Sequence, residues 1–333
     1  MLVMLGVIAP MFFVIVIGYL AGFTRRFSGH EPSIQGVLNS FLFYFALPSF
    51  LYTAVVEAPP TAGFPGVSVL IAGFIPVALA VAVFYACRLL GQKSWAGAGP
   101  VSLSATFGNV GYFGIPITIS VLGPEAGLAA GILHMVHNLI FMSGYPVVRT
   151  AVNSAQADDG AARPGGFAHL WRTRLWPIVR RAILLNPVVL AMTVALVVVF
   201  TPLQMPDLVE ESLGLLGQIA VPLALFCVGL AMHPAIAGLR SGGVPKRAVG
   251  LGTAVKVLAL PALTYLAVLP LAGQLGPIWG GTLILMAAMP SSTTVFVFTR
   301  EYDGDARMAA SILVATTVAA LVTLPLIAEF MLV

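Results

Sequence analysis

Charge is what this sequence has least of. Asp, Glu, Lys and Arg together make up 8% of its 333 residues, against about 25% in soluble domains, while 59% of the chain is hydrophobic. That balance excludes a soluble globular protein and places the chain in a lipid bilayer. Acidic residues are absent from the interior of every long apolar run, so there is no intramembrane carboxylate to bind a cation. Cysteine is scarce: Cys87 and Cys227 are far apart, each embedded in an apolar run, which leaves no disulfide framework or thiolate metal site. Both read as packing residues. The sequence contains no GxSxG motif, which argues against a membrane-embedded serine hydrolase, and its loops are too short to hold a sensor domain.

What is present is a series of apolar stretches of the length that crosses a hydrocarbon core of roughly 30 Å. They lie near residues 3–21, 37–56, 67–87, 98–122, 127–148, 183–200, 212–231, 248–270, 277–298 and 308–328. The first has no basic residue ahead of its apolar core and no small-residue cleavage site, so it reads as a span and not a signal peptide. The 34 glycines and 24 prolines are spread through these runs, as membrane helices tolerate when neighbours satisfy a broken turn.

Basic residues segregate sharply among the connections. Arg25 and Arg26 follow the first span, Arg88 and Lys93 the third, and six arginines from Arg149 to Arg181 the fifth; Arg240, Lys246 and Arg247 follow the seventh, Arg300 and Arg307 the ninth. The even-numbered connections hold none, but contain Glu57, Glu125, Asp207, Glu210 and Glu211. Cytoplasmic loops retain Lys and Arg, so ten spans with both termini outside are expected in a bacterial inner membrane. The formal charge of +4 then reports orientation and not nucleic-acid binding. The segment FAHLWRTRLWPIVRR (Phe167–Arg181) mixes aromatics with arginine and is expected to lie along the cytoplasmic lipid surface.

The connection at 150–181 divides the chain into residues 1–149 and 182–333, five spans each. Five is odd, so the halves enter the membrane in opposite senses, the condition for an inverted-topology repeat. Three internal echoes agree with it. IAP at Ile8–Pro10 matches LNP at Leu185–Pro187, FALPSFLY at Phe45–Tyr52 matches IAVPLALF at Ile219–Phe226, and AAGIL at Ala129–Leu133 matches AASIL at Ala309–Leu313, at offsets of 177, 174 and 180 residues.

Spans four and nine carry interruptions at corresponding places. TFGNVGYFGIP (Thr106–Pro116) contains Gly108, Asn109, Gly111, Gly114 and Pro116, and a shift of about 180 residues carries GNVG onto MPSS, around Pro290 in AAMPSSTTVFVF. Paired interruptions in two halves point to a transporter binding site near the midplane, where half-helix N-termini favour an anion. Asn109, Ser291, Ser292, Thr293 and Thr294 would add neutral donors and acceptors at that depth. The plainer alternative is a pair of proline kinks tolerated for packing.

Lys256 lies ten residues past Lys246, about 15 Å into the core, where a charge costs at least about 2.5 to 3.5 kcal/mol. Either a carboxylate substrate supplies its counter-charge, or it bonds helix-end carbonyls and joins two helices. His134, His137 and Asn138 share one face of span five. The imidazoles are candidates for a proton relay, with interhelical hydrogen bonding as the other reading. Zinc is disfavoured because no Cys, Asp or Glu accompanies them.

AAMPSSTTVFVFTREYD (Ala287–Asp303) resembles span nine of the auxin efflux carrier family, and ALPSFL (Ala46–Leu51), GNVGYFGIP and KVLALP (Lys256–Pro261) are similar to its bacterial branch. That branch includes proposed malonate and malate permeases. The resemblance implies an all-α membrane protein of ten helices in two inverted five-helix repeats, related to bile acid:sodium symporters. It also implies a scaffold of spans one, two, six and seven, and a mobile transport domain of spans three to five and eight to ten. Crossover helices four and nine would carry the substrate beside Asn109 and Pro290–Thr293. The chain departs from plant members in lacking a long central hydrophilic loop.

The expected protein is therefore a secondary carrier of a small organic anion, with no enzyme activity, cofactor or metal. A coupling proton at His134 or His137, a coupling sodium as in the bile acid symporters, and a homodimer are all compatible with the sequence.

Overall fold

Apolar runs this long satisfy their backbone polar groups at bilayer depth by bonding within the run, and the chain is accordingly helical. The computed structural model describes residues 2–24, 26–27, 34–57, 65–156, 172–173, 176–177, 180, 184–240, 243–330 and 332. Most of the basic segment Phe167–Arg181, with Arg25 and Arg163, lies outside the described residues. No strand occurs among the described residues, and the one isolated β-bridge there joins Gly108 to Ser291.

The first half contains α1 (Leu2–Ala21), α2 (Ile34–Phe41), α3 (Leu47–Val56), α4 (Gly66–Leu89), α5 (Trp95–Thr106), α6 (Ile115–Leu122) and α7 (Ala126–Gln156). After the central connection come α8 (Pro187–Phe200), α9 (Asp207–Arg240), α10 (Lys246–Ala254), α11 (Leu260–Val268), α12 (Ala272–Ala288), α13 (Thr293–Glu301) and α14 (Ala306–Phe330).

Three π turns, Leu42–Ala46, Val110–Gly114 and Val255–Ala259, lead into α3, α6 and α11. Each is followed two residues later by a proline: Pro48, Pro116 or Pro261. A proline ring inside a helix clashes with the carbonyl four residues earlier, and those carbonyls belong to Tyr44, Tyr112 and Val257, all within the π turns. The wider turn makes room for the ring without ending the helix.

Six helical stretches are long and apolar enough to cross a membrane: Ile34–Val56, Gly66–Leu89, Ala126–Thr150, Asp207–Ile236, Lys246–Ala288 and Ala306–Phe330. Shorter apolar helices are Ala9–Ala21, Val110–Leu122 and Pro187–Phe200. The count falls below the ten runs in the sequence because the first and sixth runs count only as the shorter helices Ala9–Ala21 and Pro187–Phe200, and because of two further features. The fourth run is cut at Phe107–Asn109 into helices too short to qualify. Lys246–Ala288 is a single stretch of 43 residues, about 65 Å at 1.5 Å per residue. It turns at Gly276, whose φ of 66° suits glycine, and Pro277 opens the next turn with its fixed φ.

The helices pack in one connected bundle. α1 lies along α9, and α3 packs on both α8 and α9. α4 packs on α5, α5 on α10 and α14, α6 on α7, α7 on α12, α11 on α12, and α13 on α14. α9 and α1 also pack on α14, and α3 on α7, so the bundle is continuous. Where α1 meets α9 the backbones touch: a Cβ on Gly229 would overlap the Ile15 carbonyl, and one on Gly18 the Phe226 carbonyl. Small residues allow this approach, which supplies the dispersion energy that holds membrane helices together. Gly229→Leu should force the pair apart and destabilise the protein by roughly 1–3 kcal/mol, seen as a lower melting temperature in detergent; an unchanged melting temperature would contradict the packing.

Candidate functional site

The two helix interruptions meet. α5 ends at Thr106 and α12 at Ala288, and the chain resumes at Val110 and Thr293. Between these ends the segments run antiparallel: Asn109 N donates to the Pro290 carbonyl (2.8 Å) and Ser292 N to the Phe107 carbonyl (2.9 Å). The Gly108 amide donates to His137 Nε2 on α7 (3.1 Å), and the Ser291 amide to Thr316 Oγ1 on α14 (3.1 Å). Four amides freed by breaking two helices are thus paired again. Gly108 faces Ser291, a spacing of 183 residues, a few more than the shift of about 180 suggested by the sequence echoes.

Lys256 closes the crossing from one side. It is 1% exposed, and its Nζ donates to the Ala287 carbonyl (3.0 Å), one of the carbonyls the end of α12 leaves without an intrahelical partner. The ammonium meets the negative end of that helix. It also abuts the bridge: a Cβ on Gly108 would lie 3.0 Å from Nζ.

On another side is a cavity of about 340 Å³, within the usual range for small-ligand sites of roughly 300–1,000 Å³. Gly108, Asn109, Gly111, His134, Ser292 and Thr293 line it, together with Asn138 and Thr294. None of its lining residues carries a formal charge. Two helix N-termini open there. Asn109 precedes the π turn that leads into α6, and Ser292 caps α13, its Oγ accepting from Thr294 N (3.3 Å). First-turn amides lack intrahelical acceptors and carry partial positive charge.

Two side-chain donors add to these amides. Asn109 Nδ2 is buried without a hydrogen-bond partner. With Asn138 Nδ2 donating to His134 Nε2 (2.9 Å), the imidazole hydrogen sits on Nδ1, which is likewise buried without a partner. Buried polar groups are rarely left unpaired, and both atoms remain available to a hydrogen-bond acceptor.

The sequence candidates therefore divide. Gly108, Asn109, Gly111, His134, Ser292 and Thr293 are brought around one cavity. Ser291 pairs in the bridge and is fully buried, its hydroxyl without a partner, and it does not line the cavity. His137 also stands behind the wall, its ring 5.4 Å from Phe107 and 4.8 Å from Phe141. Lys256 is not among the lining residues. Gly114 packs on Met286, where a Cβ would lie 2.5 Å from the sulfur; Pro116 is buried in the first turn of α6, and Pro290 offers its carbonyl to the bridge. No cluster of His, Cys, Asp or Glu able to hold a metal occurs among the described residues. Sequence reasoning missed Gln35 and Asn39, which line the cavity from α2. Their i, i+4 spacing at the edge of an apolar run was the available signal.

A multi-pass bundle of apolar helices with a cavity at two apposed helix breaks defines an integral membrane protein. The chain belongs to the family described as membrane transport protein, whose model it matches over residues 3–328. This bears out the resemblance to auxin efflux carriers. It is 26% identical over 313 residues to a protein named "Putative malonate transporter" from Rhizobium meliloti (strain 1021), covering 93% of this chain and 91% of that one. It is 24% identical over 311 residues to a protein named "Uncharacterized transporter" from Methanothermobacter thermautotrophicus (strain Delta H), covering 87% and 86%. The family and these relatives are named as transporters, not as enzymes.

Gly111 sets how closely the His134 ring approaches the break, since a Cβ there would lie 2.6 Å from Cε1. Gly111→Ala should lower stability by about 1–3 kcal/mol, and Gly111→Ala with His134→Ala should cost less than the sum of the singles. Thermal melts of the four proteins check this; additive losses would contradict the contact.

Proposed function

We propose that the protein is a secondary carrier of a small organic anion, a carboxylate of the malonate class, bound in the cavity beside the apposed helix breaks. The observation that carries this reading is the pair of unpartnered buried donors, Asn109 Nδ2 and His134 Nδ1, in a cavity onto which two helix N-termini open. A carboxylate has four lone-pair sites to accept from such donors, and charge-assisted bonds are about twice as strong as neutral ones. Dispersed dipoles bind an anion less tightly than an arginine would, which suits a carrier that must also release it. The malonate in one relative's name agrees with this chemistry.

On this reading the chain makes ten passes in two inverted five-helix repeats, with both termini outside a bacterial inner membrane. The matched roles of residues 107–109 and 290–292, each half donating one amide to the other, support a two-fold relation between the halves. The helix pair α1 and α9, with α3 and α8, forms the scaffold. The remaining helices move against it as an elevator, carrying both interruptions and the ligand together.

Lys256 acts through its field and through the geometry of the crossing, holding the α12 end in place. Its ammonium sits on a helix-end carbonyl, the kind of ligand a coupling sodium would take, so transport proceeds without sodium. Membrane potential drives an anion outward with about 2.3 kcal/mol per charge per 100 mV. Inward transport requires a co-transported cation, and a proton is the available one. His137 is placed for that role, because protonating Nε2 removes the acceptor of the Gly108 amide and loosens the crossing.

Uptake of radiolabelled malonate into proteoliposomes tests the proposal. Asn109→Ala and His134→Ala should each lower transport at least about tenfold, the order expected for losing one charge-assisted bond. Lys256→Met should abolish transport with insertion intact. Wild-type rates in all three variants would refute the site, and a strict sodium requirement would favour the sodium-coupled alternative.

A further inference from the structure

A second cavity, of about 760 Å³, lies between α4, α5 and α7, and shares no residue with the first. Its wall is apolar along one length, where Val77, Val81, Ile140 and Val148 contribute. Val77, Val81 and Val148 are 40%, 52% and 49% exposed, so the opening faces outward from the bundle, toward lipid. At its other end are Arg88, Lys93 and Arg149, and no acidic residue lines it.

This basic end is built to hold an anion. α5 begins there, its N-cap Ser94 extended and making no side-chain cap bond; the Gly97 amide donates to the Ser94 carbonyl (3.3 Å), so the hydroxyl and the first two amides of the helix stay available to a ligand. Arg149 is the second, independent observation. Its side chain is only 12% exposed, held 5.6 Å over the Trp95 ring, and its Nε is buried without a hydrogen-bond partner. Asp303, its acidic neighbour, is 3.7 Å away and 79% exposed, too distant for a hydrogen bond. Arg149 thus makes only a loose ion pair with an exposed carboxylate and keeps its Nε donor unused; beside an uncapped helix N-terminus such a guanidinium fits a phosphate.

From Val77 to Arg88 the helix rises about 16 Å, half of a hydrocarbon core of roughly 30 Å and thus the depth of one leaflet. We infer that the groove between α4, α5 and α7 binds an anionic phospholipid, its phosphate on Arg88, Lys93, Arg149 and the α5 N-terminus and an acyl chain along the apolar wall. Basic pockets between helices on the cytoplasmic side take anionic headgroups in this way. A free phosphate would use the basic end alone and leave the apolar wall without a role.

The test uses delipidated protein with phosphatidylglycerol, phosphatidylcholine of the same acyl chains, or inorganic phosphate, followed by thermal melting and native mass spectrometry. Phosphatidylglycerol should stabilise the wild type and stay bound at least about fivefold more than phosphatidylcholine, with little effect of phosphate. Arg88→Gln with Lys93→Gln changes two exposed side chains and should remove most of that preference. Gly144→Leu fills the groove from a position with nothing within 4 Å of its Cβ and should weaken both lipids. Equal retention of the two lipids, full stabilisation by phosphate alone, or unaltered lipid binding in variants with wild-type melting temperatures would overturn the inference.

Discussion

At bilayer depth an unpaired backbone N–H or C=O costs several kcal/mol, and most of this structure follows from how two broken helices meet that constraint together. Neither break could stand alone. The Asn109 amide needs the Pro290 carbonyl and the Ser292 amide needs the Phe107 carbonyl, so each interruption is the other's acceptor. The remaining groups draw in the neighbouring helices: His137 from α7, Thr316 from α14, Lys256 from the π turn between α10 and α11. The crossing is therefore a junction of five chain segments.

What the junction leaves unpaired is as informative as what it pairs. Asn109 Nδ2 and His134 Nδ1 remain as donors beside a cavity whose lining lacks formal charge. The one buried ammonium nearby is already committed to a helix-end carbonyl. An anion held this way would feel positive potential from dipoles and from Lys256 without forming an ion pair. The two demands on a carrier would then fall to different groups: Lys256 maintains the junction, and the neutral donors bind reversibly.

Much of this was legible in the sequence, for identifiable reasons. Glycine, asparagine and proline inside apolar runs announce freed backbone groups, so GNVG and MPSS stood out, and a lone lysine ten residues past Lys246 could not be a loop charge. The partner of Lys256 was not legible: a carboxylate ligand and a helix-end carbonyl are both good acceptors, and only the fold brings Ala287 to Nζ. The register of the bridge was missed by a few residues because the echoes came from neighbouring spans, with offsets of 174 to 180 residues, while the bridge partners are 183 apart. Gln35 and Asn39 escaped because two neutral polar residues near a span's edge look like ordinary surface. The three prolines were visible, but the π turns ahead of them were not, since sequence periodicity does not register one extra residue per turn.

Whether the apposed helix breaks cradle a carboxylate is tested most directly by a structure of the purified protein with malonate bound. A carboxylate is expected within hydrogen-bond distance of Asn109 Nδ2 and His134 Nδ1, with Lys256 still on the Ala287 carbonyl. Malonate bound elsewhere, or paired directly with a Lys256 released from that carbonyl, would contradict the cradle.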